Sequence, residues 1–369
     1  MRVVSLDALR GVAALTVAVP HYLVAHDVHP VFFQAVSILS VEVFFVLSGF
    51  VLAPQINYCL QGGSTKNLLV FYLRRWMRTL PPYVIALCLV AMLTANLFTP
   101  QFLRYLFFVQ NIASIDAAND FFPIAWSLSV EEWFYVLFPL LLLALGRIGC
   151  GAVRAGIIFI AAFFALKLVG ATLVPDWDAV ARRLVLFRLD AIAFGFLLYF
   201  LIKKVPSFTS RGAVPLHFAF FVMAGVAMAV TMAIISSNEN TTIRLIFFYL
   251  GPLFGGSLIA ILYATNGAFL KLRIVERLST FFGSISYDVY LFHLPVMFVL
   301  DRILAPSVAM FVFYISGVIV VSYLMRLMIE NRILAARPGY ARFSGTGFLG
   351  PSDQIEESGR SSQSPSEVG

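Results

Sequence analysis

Ten apolar runs, each close to the about twenty residues a helix needs to cross a hydrocarbon core, follow one another along the chain. They lie near 5–25, 31–53, 80–98, 123–145, 153–174, 183–202, 214–235, 243–264, 281–300 and 307–328. The runs are continuous rather than alternating, so they do not read as the about ten-residue strands of a membrane barrel. The pattern predicts an all-α fold: a polytopic membrane bundle of about ten transmembrane helices. Pro81 and Pro82 read as opening the third span and Pro175 as following the fifth. Residues 101–113 are apolar but too short to cross, so they are expected to lie at the interface or to re-enter, with the polar stretch 114–120 on the same side. From 343 onward the chain is rich in Ser, Gly, Pro and Glu. The expected division is therefore a membrane domain, 1–342, and a disordered cytoplasmic tail, 343–369.

Composition agrees with this pattern. The chain is 60% hydrophobic and only 12% charged, far from the balance of a soluble domain. Its 26 basic residues outnumber 19 acidic ones. In a polytopic protein that excess records loop positions on the cytoplasmic side, not nucleic-acid binding. With the N-terminus inside, the inner segments hold Arg74, Arg75, Arg78, Arg147, Arg154, Lys203, Lys204, Arg273 and Arg277. The outer loops and membrane interior hold Arg104, Lys167, Arg182, Arg183, Arg188, Arg244 and Arg302. Both termini are thereby placed in the cytoplasm. Cys59, Cys88 and Cys150 offer neither a disulfide framework nor metal-ligand spacing. Asp7 and Arg10 interrupt the first apolar run, so it reads as a retained span and not a cleaved signal.

Within the first run, SLDALRGVAALTVAVPHY (5–22), sit Asp7, Arg10 and His21, where a membrane helix normally carries nothing ionisable. At 1.5 Å and 100° per residue, the step from Arg10 to His21 rises about 16 Å and returns within about 20° of one face. A cation near one surface and a deeper imidazole on the same face are functional candidates. VEVFFVLSGF (41–50) places Glu42 near one end of the second span and Ser48 and Gly49 deep, where small residues favour close helix packing over chemistry. FYLRRWMRTLPPY (71–83) puts Arg74, Arg75 and Arg78 largely on one helical face, and planar guanidinium forks suit phosphate oxygens. AWSLSVEEWFYVLFP (125–139) interrupts the fourth span with Glu131 and Glu132, either partnered by Arg or His or carrying a proton. Trp126, Trp133 and Tyr135 read as interface-belt or packing aromatics. Arg188 and Asp190 in FRLDAIAFG read as a buried structural pair. SYDVYLFHLP (286–295) adds Asp288, Tyr290 and a second membrane histidine, His293. The histidines lack ligand-pair spacing, and HExxH, CxxC and GxSxG are absent, which argues against metal sites and a serine elbow.

Taken together and in order, SLDALRG with Arg10-x10-His21, VEVFFVLSGF, Arg75-x-x-Arg78, AWSLSVEEWFYVLFP and SYDVYLFHLP resemble the bacterial acyltransferase-3 family from about residue 5 to about residue 330. The chain departs from it at Trp133 and Phe292, where the family more often carries Gln and Trp. The resemblance implies a multi-pass enzyme of the bacterial inner membrane that adds acyl groups, often acetyl, to hydroxyls of surface or exported carbohydrates. It implies His21 as catalytic base with Arg10 in the same functional pair, Glu131 or Glu132 as the acidic partner, and Arg75 and Arg78 as donor-binding residues. Asp7, Ser48, Asp190, Tyr290 and His293 take supporting places. No permanently bound cofactor is expected. Acetyl-CoA or another acyl-CoA is the donor substrate, a carbohydrate or glycolipid the acceptor, and lipid the surroundings. The hydrolase-like domain fused to some members is not expected in this chain, which leaves acceptor handling to the membrane domain or to a separate periplasmic partner. Glu131 or Glu132 is expected to orient His21 or to stabilise its protonated form. The competing reading is a proton-coupled transporter of a small solute, which also uses intramembrane His, Arg and Glu. It is disfavoured by the lack of an inverted repeat and of a role for the inner arginines. A purely structural or signalling membrane protein would leave the buried charges unexplained.

Overall fold

The computed structural model describes residues 4–60, 65–112, 114–170, 181–235, 241–265 and 272–340. The expected tail 343–369 and Pro175 lie outside these residues. The helices run α1 (Val4–Ala25), α2 (Pro30–Leu60), α3 (Thr65–Leu93), α4 (Pro100–Leu106), α5 (Ala125–Arg147), α6 (Ala152–Gly170), α7 (Leu189–Lys204), α8 (Val214–Ile235), α9 (Thr241–Ala264), α10 (Arg273–Leu300), α11 (Val308–Met325) and α12 (Asn331–Ala335). A π-helical turn, Arg326–Glu330, joins the last two. Among the described residues there is no strand, and ten helical stretches are long and apolar enough to cross a membrane. They fall on the ten runs read from the sequence. The chain is an all-α, multi-pass membrane protein.

One boundary differs. Pro81 and Pro82 stand inside α3 and do not open it. Their missing N–H groups free two carbonyls one turn earlier, which a membrane helix tolerates where neighbours or a polar cavity surround it. The helix thereby carries Arg75 and Arg78 of its first half into the bundle. Within the expected segment 101–113, residues 101–112 make no crossing helix, and residue 113 lies outside the described residues. Residues 100–106 form α4, where Thr99 caps the start by accepting from the Phe102 N–H (3.1 Å) and Pro100 fills the first turn.

α1 packs between α2 and α10, and α2 in turn packs on α7 and α9. Lipid gives no hydrophobic drive between helices, so close backbone approach supplies the contact. A Cβ on Gly49 would stand 1.8 Å from the Ile192 carbonyl oxygen, and one on Gly195 would stand 1.9 Å from that of Val46. The two glycines let α2 and α7 cross almost backbone to backbone. Gly49 thus fills the packing role that the sequence assigned to small residues.

The expected Arg188–Asp190 pair does not form. Arg188 pairs with Glu42 of α2, and Asp190 pairs with Lys167 of α6 (2.6 Å). Residues two apart at a helix start point about 200° away from each other, so neighbours in sequence seek different partners. Phe45 and Phe248 flank the Arg188 guanidinium at 5.2 Å, and Phe248 lies 4.5 Å from the Lys167 ammonium. All four charged groups are buried.

Breaking one half of such a pair leaves an uncompensated buried charge. Lys167→Met is expected to destabilise the protein by about 3–5 kcal/mol, and the joint change Lys167→Met with Asp190→Leu to recover most of that loss. Thermal unfolding in detergent, followed by size-exclusion chromatography, measures both. A single variant as stable as wild type would contradict the pairing.

Candidate active site

A cavity of about 100 Å³ lies among α1, α2, α3, α5 and α10, lined by Arg10, Ser48, Arg75, Arg78, Glu131, Tyr135 and Tyr290 among others. Arg75 and Arg78, three apart, share the inward face of α3. Arg74 turns away: it donates to the Pro338 carbonyl (2.7 Å) and lies over the Tyr340 ring at 5.0 Å. Arg75 donates to Gln55 Oε1 (2.8 Å) and stands 5.9 Å from the centre of the Tyr135 ring. The Ser48 and Tyr135 hydroxyls both donate to Glu131 Oε1. Tyr135 is therefore a cavity residue and not a belt aromatic, because an i,i+4 step on α5 stacks it on Glu131. Trp126 packs edge-on against Phe45 (5.8 Å), and Trp133 donates to the Phe108 carbonyl (2.9 Å). Ser48 faces the cavity while Gly49, about 100° round the helix, faces α7.

The two carboxylates left open by the sequence are separated by the same rotation. Glu131 enters the cavity, whereas Glu132 is buried on the other side of that helix turn, against Thr79 and Trp76 of α3. Three guanidiniums consequently face a single carboxylate in the cavity. The charges of Asp7 and Glu131 act on Arg10 against the repulsion of Arg78 and Arg75. Asp190 has no place there, being neutralised by Lys167.

Arg337, which sequence reasoning missed, lies beyond the last span and joins this basic cluster. Burial, then the charges of Arg78, Arg75 and Arg74, lower its guanidinium to about 10. Its Nε is buried without a hydrogen-bond partner. A lone arginine after a final span is ordinary positive-inside charge, so nothing in the sequence set it apart. Cations crowded together away from water are stabilised by an anion with several oxygens, such as a phosphate.

His21 does not line this cavity. Tyr290 does, and its ring meets Phe44 edge-on at 6.1 Å on one side and His293 at 6.0 Å on the other. His21 Nδ1 lies 2.9 Å from His293 Nε2, and His21 Nε2 lies 3.2 Å from the Ser37 hydroxyl. His293 Nδ1 in turn lies 2.8 Å from the Tyr290 carbonyl oxygen. A carbonyl only accepts, so His293 carries its proton on Nδ1 and presents a bare Nε2. That fixes the proton of His21 on Nδ1 and leaves its Nε2 lone pair accepting from the Ser37 hydroxyl, a place an acceptor hydroxyl takes when it displaces Ser37. His293, and not Glu131 or Glu132, therefore orients His21. Glu131 lies along the arginine half of the cavity and Glu132 outside it against α3, while α1 carries His21 some three turns beyond Arg10.

Residues 3–327 match the sequence profile of the family described as "Acyltransferase domain", the acyltransferase-3 family. The chain is also similar to proteins named O-acetyltransferase OatA from Staphylococcus aureus strains NCTC 8325 / PS 47 and COL. Each is 25% identical over 316 residues, covering 79% of this chain and 50% of the relative. The chain thus spans about half the length of the curated relatives it matches. No solved structure matches it.

The tautomer chain is open to direct observation. In protein labelled with nitrogen-15 histidine, both rings should show the Nδ1-protonated neutral form. His293→Phe should leave His21 as a mixture of tautomers. An Nε2-protonated His21 in the unaltered protein would overturn the assignment.

Proposed function

The chain belongs to the acyltransferase-3 family, and from that membership we propose that it moves an acyl group, acetyl in the first instance, from an acyl-CoA donor to a hydroxyl of a carbohydrate or glycolipid acceptor. The observation that carries this reading is one continuous arrangement: a cavity with three guanidiniums that ends at Tyr290, and beyond it a histidine whose Nε2 is left basic.

On this reading, Arg10, Arg75 and Arg78, with Arg337 at the mouth, hold the donor's phosphates. The acyl thioester extends toward Tyr290. The acceptor oxygen attacks the thioester carbonyl, His21 Nε2 takes the hydroxyl proton, the carbon–sulfur bond breaks, and the departing thiolate takes up a proton. Glu131, held by Ser48 and Tyr135, balances the cationic wall and keeps Arg10 and Arg75 in place between turnovers. The arginine end then faces the cytoplasm, where acyl-CoA is found, and the opposite end faces the acceptor on the outer side of the bacterial inner membrane. The basic excess at that end supports this orientation, which also puts both termini in the cytoplasm.

Release of free CoA from acetyl-CoA by purified, detergent-solubilised protein given an oligosaccharide acceptor tests the reading. Wild type should turn over. His21→Ala should lose about 10²–10⁴-fold in rate while still binding donor. Arg78→Ala should raise the donor KM by about tenfold or more, the loss of a charge-assisted phosphate contact. Turnover that survives His21→Ala would remove the histidine from the mechanism. A wild type that neither consumes nor binds the thioester would move the assignment to a proton-coupled transporter.

A further inference from the structure

A groove of about 940 Å³ runs among α7, α8 and α9. Its wall is almost wholly apolar, with Leu197, Leu201, Leu216, Phe220 and Leu253 facing it. Leu201, Leu216 and Leu253 are exposed, so no protein side chain fills the space beside them. α8 packs closely on α9, whereas α7 and α8 barely meet. The groove is the gap between those two. Side chains along such a gap forgo dispersion contacts unless another molecule supplies the atoms. Along α7 the lining runs from Phe194 to Lys204, ten residues that rise about 15 Å. That is half of a hydrocarbon core about 30 Å thick, the depth of one leaflet.

Polar and charged groups gather at one end of the groove, where α7 stops and α8 starts: Lys204, Ser207 and His217. His217 Nε2 donates to the Phe208 carbonyl (2.6 Å), and its ring meets that of Phe208 edge-on at 4.6 Å. The segment 205–213 is thereby pinned across the mouth. Lys203, Lys204 and Arg211 stand exposed there. α7 carries one carboxylate, Asp190, which is spent on Lys167 at the far end of the helix. No further acidic residue follows before Glu239, and α9 has none. Loop charge alone accounts for cations at this level, but not for a lysine at the mouth of an apolar slot of leaflet depth. That combination matches a molecule with an anionic head and a hydrocarbon tail. A sugar or a nucleotide would meet almost no polar partner along the wall.

We propose that this groove binds an anionic phospholipid, one acyl chain lying along α7 between α8 and α9 and the phosphate meeting Lys204 and the Ser207 hydroxyl, with Lys203 and Arg211 around it. On the orientation proposed above, the lipid belongs to the cytoplasmic leaflet. The site does not depend on the acyl-transfer reading. Its chain supplies the contact that α7 and α8 do not make with each other, and so ties α8 to the bundle through more than α9.

Native mass spectrometry of the full chain in detergent tests this, with dioleoylphosphatidylglycerol and dioleoylphosphatidylcholine as probes. The two share their chains and differ in head-group charge. Wild type should bind the phosphatidylglycerol about tenfold more tightly, the effect of lysines at a phosphate. The joint change Lys203→Gln with Lys204→Gln should abolish that preference. Leu201→Trp, which fills the groove from α7, should release both lipids, and Leu216→Trp, which fills it from α8, should do the same should the first variant fail to fold. A wild type without preference overturns the proposal, as does a preference that survives loss of both lysines. Binding unchanged in a folded tryptophan variant also overturns it, because the head group alone would then be held. A polyprenyl phosphate retained tenfold ahead of the phosphatidylglycerol would give the groove to a lipid-linked sugar carrier instead, and the phospholipid assignment would fall.

Discussion

A charge held inside a bilayer must be paired, reached by water or balanced by a ligand, and this bundle answers that requirement in two different ways in two places. Around the α2–α7 crossing the account closes: Arg188 meets Glu42 and Lys167 meets Asp190, with aromatic faces over both cations. In the cavity by α1 it does not close. Arg10, Arg75 and Arg78 line it with one carboxylate, Glu131, already accepting from two hydroxyls, while Asp7 acts on Arg10 and Glu330 faces the charge of Arg78 from outside the lining. A closed set of charges fixes helices. A cavity wall with cations in excess is a site suited to an anion.

The two sets depend on each other through α2. Its one face carries Glu42 and Gly49 against Arg188 and α7, and its other carries Ser48 to Glu131. Ser37, one helix turn and a half before Glu42, reaches His21. The tight glycine crossing therefore does more than hold two helices together. It sets the height of Ser37 and Ser48 relative to α1 and α5, and so the depth at which His21 and Glu131 are held. A shift of that crossing by a fraction of a helical turn would separate the serines from both partners.

Much of this was legible in the sequence, for reasons that follow from the solvent. A span must be apolar for about twenty residues whatever its neighbours are, so all ten could be read locally. The ionisable residues stood out because lipid makes them rare. What could not be read was pairing. Glu42 and Arg188 lie in different spans, and no local rule prefers Glu42 to the near neighbour Asp190 as the partner of Arg188 until the helices are crossed. The choice between Glu131 and Glu132 was closed for the same reason, since adjacent positions differ only in rotation about an axis whose neighbours the sequence does not name. The prolines of α3 misled because the rule that places proline at a helix start weakens where a polar cavity accepts the freed carbonyls.

The histidine pair shows how a buried base can be set without a carboxylate. A carboxylate beside His21 would favour its charged form and would itself have to be carried into the membrane. A second imidazole tied to a helix carbonyl brings no charge, yet it dictates the tautomer as firmly, because the Tyr290 carbonyl can only accept. The direction of the chain is then fixed from that carbonyl outward to His21 Nε2. Glu131 is free to serve the cationic wall at the other end, and the two ends of the bundle keep separate electrostatic tasks: anion binding among the arginines, and proton acceptance at the His21–His293 pair beyond Tyr290.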